Sequence, residues 1–191
     1  MGVVMVGIDF DGTICDTGFL KREYVLEKKG ISIESWEANR TVLTEDRKIL
    51  TEAEYDLMIQ EVCSRECTLS AGPVDGAKES ITLLSKDYSL YVVTERSGPM
   101  LSAAVEWMHK NGMSGFVSGY VSSKMQNASK VELCRQMCIS HLIEDDPGHF
   151  RKSDDSVTGI LLKGGGEEIS PDPSLRHAKD WNEAVGHLLR E

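Results

Sequence analysis

The sequence predicts an α/β protein whose core is a doubly wound, Rossmann-like parallel sheet, with a small helical cap domain inserted after the first strand. Three observations carry that expectation. Short apolar runs rich in β-branched residues recur along the chain and end in polar residues, the pattern of strands covered on both faces. Helical stretches separate them, which implies right-handed βαβ units. Residues 15–72 break the alternation, with helical periodicity, many charges and no convincing strand.

The first strand is residues 3–8, a continuous apolar run that meets charge at Asp9. Within the insertion, residues 17–29 and 51–67 read as helices, with a less regular stretch at 36–47 between them. An insertion of that size directly after a strand reads as a lid rather than a second linear domain. The expected division is therefore a core of residues 1–14 and 73–191 and a cap of residues 15–72. Pro73, Val74, Asp75 and Gly76 open a helix that runs to about residue 86, with Ala77, Ile81 and Leu84 on one face.

A strand at 89–94 ends in Thr94, and a helix at 99–109 follows it with Leu101, Val105 and Met108 inward and a stop near Gly112. Residues 116–122 and 157–162 are weaker strands, 139–144 a clearer one ending in Glu144, and 131–138 and 178–189 the remaining helices. Gly164, Gly165 and Gly166 lack the Lys-Ser/Thr of a phosphate loop and read as a turn. Ligands of such a sheet bind beyond the carboxyl ends of its strands. Asp9, Thr94 and Glu144-Asp145-Asp146 all fall there.

Composition narrows the function. The chain has 191 residues, 40% hydrophobic and 27% charged, as a folded globular protein does, and its formal charge of −10 repels polyanions. Nucleic acid and an anionic membrane surface are thus not expected partners, and no apolar run approaches the roughly 20 residues of a membrane span. Five cysteines, an odd number in a chain without an export signal, point to a reducing cytoplasm. Cys63/Cys67 and Cys134/Cys138 are spaced i,i+4 and together could supply four zinc ligands. Structural zinc favours tight C-x2-C turns, so core packing is the expected role. The five histidines show no metal spacing, and only His149 lies near the acidic run.

The chemistry centres on Asp9-Phe10-Asp11-Gly12-Thr13. Residues i and i+2 of an extended chain face the same way, so two carboxylates converge at the end of the first strand. At about 4 Å their repulsion is roughly 4 kcal/mol at an effective dielectric of 20, which calls for a cation or a shared proton. Magnesium, a hard ion that takes oxygen ligands, meets that demand. Gly12 allows a sharp turn whose free amides would face an anion.

These residues, followed by Val92-Val93-Thr94, Lys130 and Leu142-Ile143-Glu144-Asp145-Asp146, resemble in order the four motifs of the haloacid dehalogenase superfamily, and of its phosphatases in particular. The likeness covers residues 1–14 and 73–162, with the insertion where that family places one type of cap. By resemblance, Asp9 is the nucleophile that accepts a phosphoryl group, and Asp11 the general acid that later serves as base. The family's dehalogenases lack this second aspartate. Magnesium would be held by the Asp9 carboxylate, the Asp11 backbone carbonyl and Asp145, with Glu144 or Asp146 in support. Thr94 would donate to a phosphate oxygen and Lys130 would neutralise nucleophile and phosphate. Lys130 is preferred to Lys124 because a single helix separates it from the acidic strand.

Glu95 and Arg96 share the loop after Thr94 and are candidates to position a substrate. Phe19, Lys21 and Arg22 are the cap residues expected near the site. The implied activity is a magnesium-dependent phosphohydrolase acting on a small phosphorylated metabolite, with a nucleoside monophosphate first because the short core and small cap resemble 5'-nucleotidase-like members. A sugar-phosphate phosphatase or a phosphomutase is the alternative. A non-catalytic regulatory or binding protein on the same fold is the other class, against which intact Asp9 and Asp11 argue.

Overall fold

The computed structural model describes residues 3–151, 156–162 and 175–189. The turn expected at residues 164–166 lies outside them. Strand β1 (Val4–Ile8) leads into the insertion, which carries α1 (Thr17–Lys29), a 3-10 turn (Ser35–Glu37), a π-helical stretch (Thr41–Asp46), α2 (Glu52–Val62) and α3 (Arg65–Ser70). The chain continues through α4 (Ala77–Leu84), β2 (Tyr88–Thr94), α5 (Gly98–Lys110), β3 (Gly119–Ser122), α6 (Ser123–Gln126), α7 (Lys130–Gln136) and β4 (His141–Glu144). After a 3-10 turn (Pro147–Phe150) come β5 (Thr158–Leu162), β6 (Leu175–Ala178) and α8 (Trp181–Leu188).

The six strands form one parallel sheet in the order β3-β2-β1-β4-β5-β6. The chain winds outward from β1 through β2 to β3, then crosses back to place β4 on the other edge of β1. That reversal opens a crevice at the carboxyl ends of β1, β2 and β4, where ligands of doubly wound sheets bind.

Alternation along the strands divides the core in two. Val6, Ile8, Leu90 and Val92 face α4, α5 and α8, where Trp107 and Trp181 are fully buried. Val93, Leu142 and Leu161 face the other way, onto Val131, Cys134 and Phe150. Gly7 belongs to this second face. A Cβ there would lie 3.0 Å from Val93 and 3.2 Å from Leu142, so the strand that carries Asp9 closes on its neighbours only because residue 7 has no side chain.

Several expectations need correction. Helix α5 buries Ala103, Ala104, Trp107 and Met108, whereas Leu101 and Val105 are only half-buried. Two adjacent alanines let the helix approach the sheet, and Trp107 then packs edge-on against Phe10 with ring centroids 5.4 Å apart. The helix expected over residues 51–67 is two helices, because the Ser64 side chain accepts from Cys67 N–H and starts a new one. Ala178 ends a strand instead of opening a helix. Asp180 caps the helix that follows, through Glu183 N–H at 2.9 Å.

The insertion has its own apolar cluster, formed by Val25, Ile33, Ala38, Leu43, Leu50, Tyr55, Met58 and Val62. Its last helix, α3, instead lies on α5: Arg65 pairs with Glu106, and Trp107 Nε1 donates to the Ala71 carbonyl at 2.8 Å. No helix among the described residues is long and apolar enough to cross a membrane.

Candidate active site

β1 delivers Asp9 to the crevice, and the loop after it is held from several sides. Asp9 N–H donates to the Ile143 carbonyl of β4, the Phe10 carbonyl accepts from both Ile14 and Cys15, and Trp181 Nε1 at the start of α8 donates to the Thr13 carbonyl. Gly12 has φ +85°, and a Cβ on it would fall 2.4 Å from Asp145 Oδ2. Only glycine fits that turn so close to the acidic loop.

α7 delivers Lys130 at its first turn, fixed by Ser129, whose hydroxyl accepts from Glu132 N–H at 3.1 Å. The Lys130 ammonium, 3% exposed, donates to Asp9 at 2.5 Å and to Glu144 at 2.7 Å. The other Glu144 oxygen accepts the N–H groups of Asp145 and Asp146, each at 3.1 Å. Lys124, the competing lysine, lines the cavity but is exposed.

Asp9, Glu144 and Asp145 bring ligand oxygens within 4.8 Å of one another. Burial and the Glu144 charge push the Asp9 carboxyl up to about 7 in spite of Lys130. Burial and Glu144 also hold Asp145 well above the usual carboxylate range. Three crowded carboxylates with one lysine among them fit a divalent cation that prefers oxygen ligands.

Asp11 is differently placed. Burial would raise its pKa, but the Arg96 guanidinium grips both carboxylate oxygens, Nε at 2.8 Å and Nη2 at 2.7 Å, and holds it at about 2. Arg96 also lies over the Phe10 ring at 4.8 Å and donates to Thr68 Oγ1 of α3 at 2.7 Å. Thr94, at the end of β2, is buried, and its hydroxyl accepts the Arg96 N–H at 3.1 Å. Glu95 and Arg96 line the cavity; Thr94 does not.

The cavity, of about 240 Å³, is roofed by the insertion through Lys21, Asn39, Arg40, Thr41, Tyr55 and Cys63. Of the three cap residues expected near the site, Lys21 alone lines it. Phe19 is 45% exposed and Arg22 pairs with Glu23, because positions 19 and 21 lie on nearly opposite sides of a helix. Tyr55, Thr41 and Met100 are wall residues that sequence reasoning missed, since nothing local marks them. Thr41 N–H reaches Asp146 Oδ2 at 3.4 Å, joining the insertion to the acidic loop. His149 also lines the cavity; burial and Lys130 push it down to about 4, so it is neutral at pH 7. Cys63 places its sulfur 3.9 Å from Asp11, and all five cysteines are free thiols.

Superposition on solved structures decides the fold. A predicted phosphatase from Clostridium acetobutylicum superposes with TM-score 0.66 at 15% identity, covering 100% of both chains. The fold is that of the haloacid dehalogenase-like hydrolases. A hydrolase of that superfamily from Streptococcus pneumoniae gives TM-score 0.65 at 15% identity over 97% of this chain and 98% of its own. YfnB from Bacillus subtilis, a candidate HAD-hydrolase whose crystal structure holds magnesium, gives 0.64 at 14% identity over 100% of both chains. No protein-family model matches the sequence, and no curated protein does.

Proposed function

We propose that the protein is a phosphoric monoester hydrolase in which Asp9 accepts the phosphoryl group of a small phosphorylated metabolite. The observation that carries this reading is Asp9 itself: a carboxylate 2% exposed, at the floor of a cavity, bonded to Lys130 and two residues from a second aspartate. A structural carboxylate gains nothing from such crowding. A nucleophile gains alignment and a nearby cation to balance the incoming phosphate.

In the proposed reaction an Asp9 oxygen attacks phosphorus, the bond to the leaving oxygen breaks, and protonated Asp11 supplies the proton that oxygen needs. Water then attacks the aspartyl-phosphate, Asp11 takes its proton, and phosphate leaves with Asp9 restored. Lys130 neutralises charge on Asp9 and the transferring group. The Asp11–Arg96 pair opposes the first step, since a carboxyl held at about 2 carries no proton to give. Arg96 must therefore slacken its grip when substrate binds. Magnesium, held by the Asp9 and Asp145 carboxylates and the Asp11 backbone carbonyl, would add electrostatic stabilisation of the phosphoryl oxygens. Glu144 is committed to Lys130 and to two backbone amides, and supports these ligands from behind.

Residues 15–72 act in this reading as the cap that closes over the substrate and selects it. A nucleoside monophosphate remains within the proposed substrate class. The test is hydrolysis of an aryl phosphate with magnesium by wild type and Asp9→Asn, with circular dichroism as the control for folding. Turnover in wild type and a fall of about 10⁴-fold in a folded variant are expected. Near wild-type turnover in folded Asp9→Asn defeats the nucleophile assignment.

A further inference from the structure

The cations of the cavity differ in what they do. Lys130 is spent on Asp9 and Glu144, Arg96 on Asp11 and Thr68, and Arg40 on Glu52 and Asp56. Lys124 is exposed to water. Lys21 is the exception: 4% exposed, lining the cavity, and without a hydrogen bond or ion pair to any described residue.

Tyr55 lines the same roof at 5% exposure, and its hydroxyl likewise has no hydrogen-bond partner among the described residues. Burial would lower the Lys21 pKa, but nearby acidic groups, Asp145 and Asp11 among them, offset this and keep it charged. Burial raises the Tyr55 phenol and keeps it a donor. Each residue sits one turn inside a capped helix, α1 behind Asp16 and α2 behind the Thr51–Glu54 capping box, so both are rigidly mounted. The stems of both side chains are packed away while the ammonium and the hydroxyl open onto the cavity, where one ligand anion can accept from both.

We propose that Lys21 and Tyr55 form a second anion subsite, and that the substrate is a compact phosphomonoester bearing a further carboxylate or phosphate group. The proposal rests on the reading of Asp9 as phosphoryl acceptor, which places the first phosphate at the floor of the same cavity. It also bears on the nucleoside expectation. Tyr55 is the only Phe, Tyr or Trp lining the cavity among the described residues, and the Arg40 guanidinium lies over its ring at 4.4 Å. The volume, about 240 Å³, lies below the usual range of about 300–1,000 Å³ for ligand sites. A short anionic tail suits these walls better than a stacked base.

The test compares 3-phosphoglycerate, propane-1,3-diol bisphosphate, glycerol 3-phosphate and AMP on wild type, Lys21→Gln, Lys21→Arg and Tyr55→Phe. Wild type should prefer one of the two doubly anionic probes over glycerol 3-phosphate by about tenfold or more in kcat/KM, chiefly through KM. Which probe wins tells carboxylate from phosphate. Lys21→Gln should remove most of that preference, Tyr55→Phe part of it, and Lys21→Arg should retain it. No preference in wild type, a higher kcat/KM for AMP, or equal losses in Lys21→Gln on probes with and without the second anionic group would each overturn the subsite.

Failure of the underlying reading shows itself separately, as no turnover of any probe. Calorimetric binding to Asp9→Asn, with and without Lys21→Gln, then decides. Tighter binding of 3-phosphoglycerate than of glycerol 3-phosphate that depends on Lys21 upholds the subsite, and equal binding overturns it.

Discussion

The floor and the roof of the cavity are built on opposite principles. On the floor, Asp9, Lys130 and Glu144 satisfy one another and the backbone around them, and Asp11 is doubly bonded to Arg96. On the roof, Lys21 and Tyr55 are buried to the same degree and have no such bonds. A site whose groups complete one another is preorganised for a single chemical step. A surface whose donors are incomplete is waiting for a ligand to finish it. In the proposed reading, the floor carries the chemistry and the insertion the selection.

The largest effect that would break this contrast belongs to Asp11. Asp11→Asn should lower turnover about 10²- to 10⁴-fold on substrates with poor leaving groups and less on aryl phosphates, whose leaving oxygen needs little protonation. Equal losses on both, from steady-state kinetics, would mean Asp11 holds structure only. Next is Lys130→Met, which strands two buried carboxylates and should cost about 3–5 kcal/mol in urea unfolding. Lys21→Met should cost less, since no hydrogen bond or ion pair is broken. Matching losses would erase the distinction between floor and roof.

A smaller effect concerns pH. Asp9 is raised to about 7 and Asp145 is raised too, so each favours the fold when protonated. The Asp9 contribution is full below the ordinary carboxylate value near 4 and is lost as pH rises toward 7, and that of Asp145 is lost in the same direction. Asp11, lowered to about 2, works the other way, and its contribution is lost as pH falls from about 4 toward 2. His149, lowered to about 4, costs stability as pH falls from about 6.5, but two raised carboxylates outweigh one imidazole, so melting in chelator should be lower at pH 8 than at pH 5, and magnesium should narrow the gap. A gap indifferent to magnesium would separate the ion from these carboxylates. The smallest effect is Phe19→Ala, expected within about 0.5 kcal/mol of wild type by thermal unfolding, with kinetics unaltered, because its ring is outside the cavity.

The floor was legible in the sequence, and of the roof only Lys21 was. Asp9 and Asp11 could be placed because a strand fixes the direction of i and i+2, and Lys130 because one short helix separates it from β4. β1, β2 and β4 were legible as short apolar runs ending in a polar or charged residue. β6 was not, since it has four residues of which only Leu175 and Ala178 are apolar. Tyr55 and Thr41 reach the site through packing between helices, which leaves no trace in local spacing. Arg96 could be placed on the right loop, yet its grip on Asp11 spans 85 residues and depends on the turn made by Gly12.

The position of β1 between β2 and β4 also orders events during synthesis. Val6 is made early, but its partner on one edge is His141, 135 positions later. At about 5–20 residues per second a ribosome takes roughly 7–27 s to cover that distance. The apolar cluster at residues 25–62 is fully synthesised well before then. The roof can thus condense from local contacts, while the strand carrying Asp9 waits for a distant segment to close its second edge. A chain truncated before β4 would carry a finished roof over an unfinished floor.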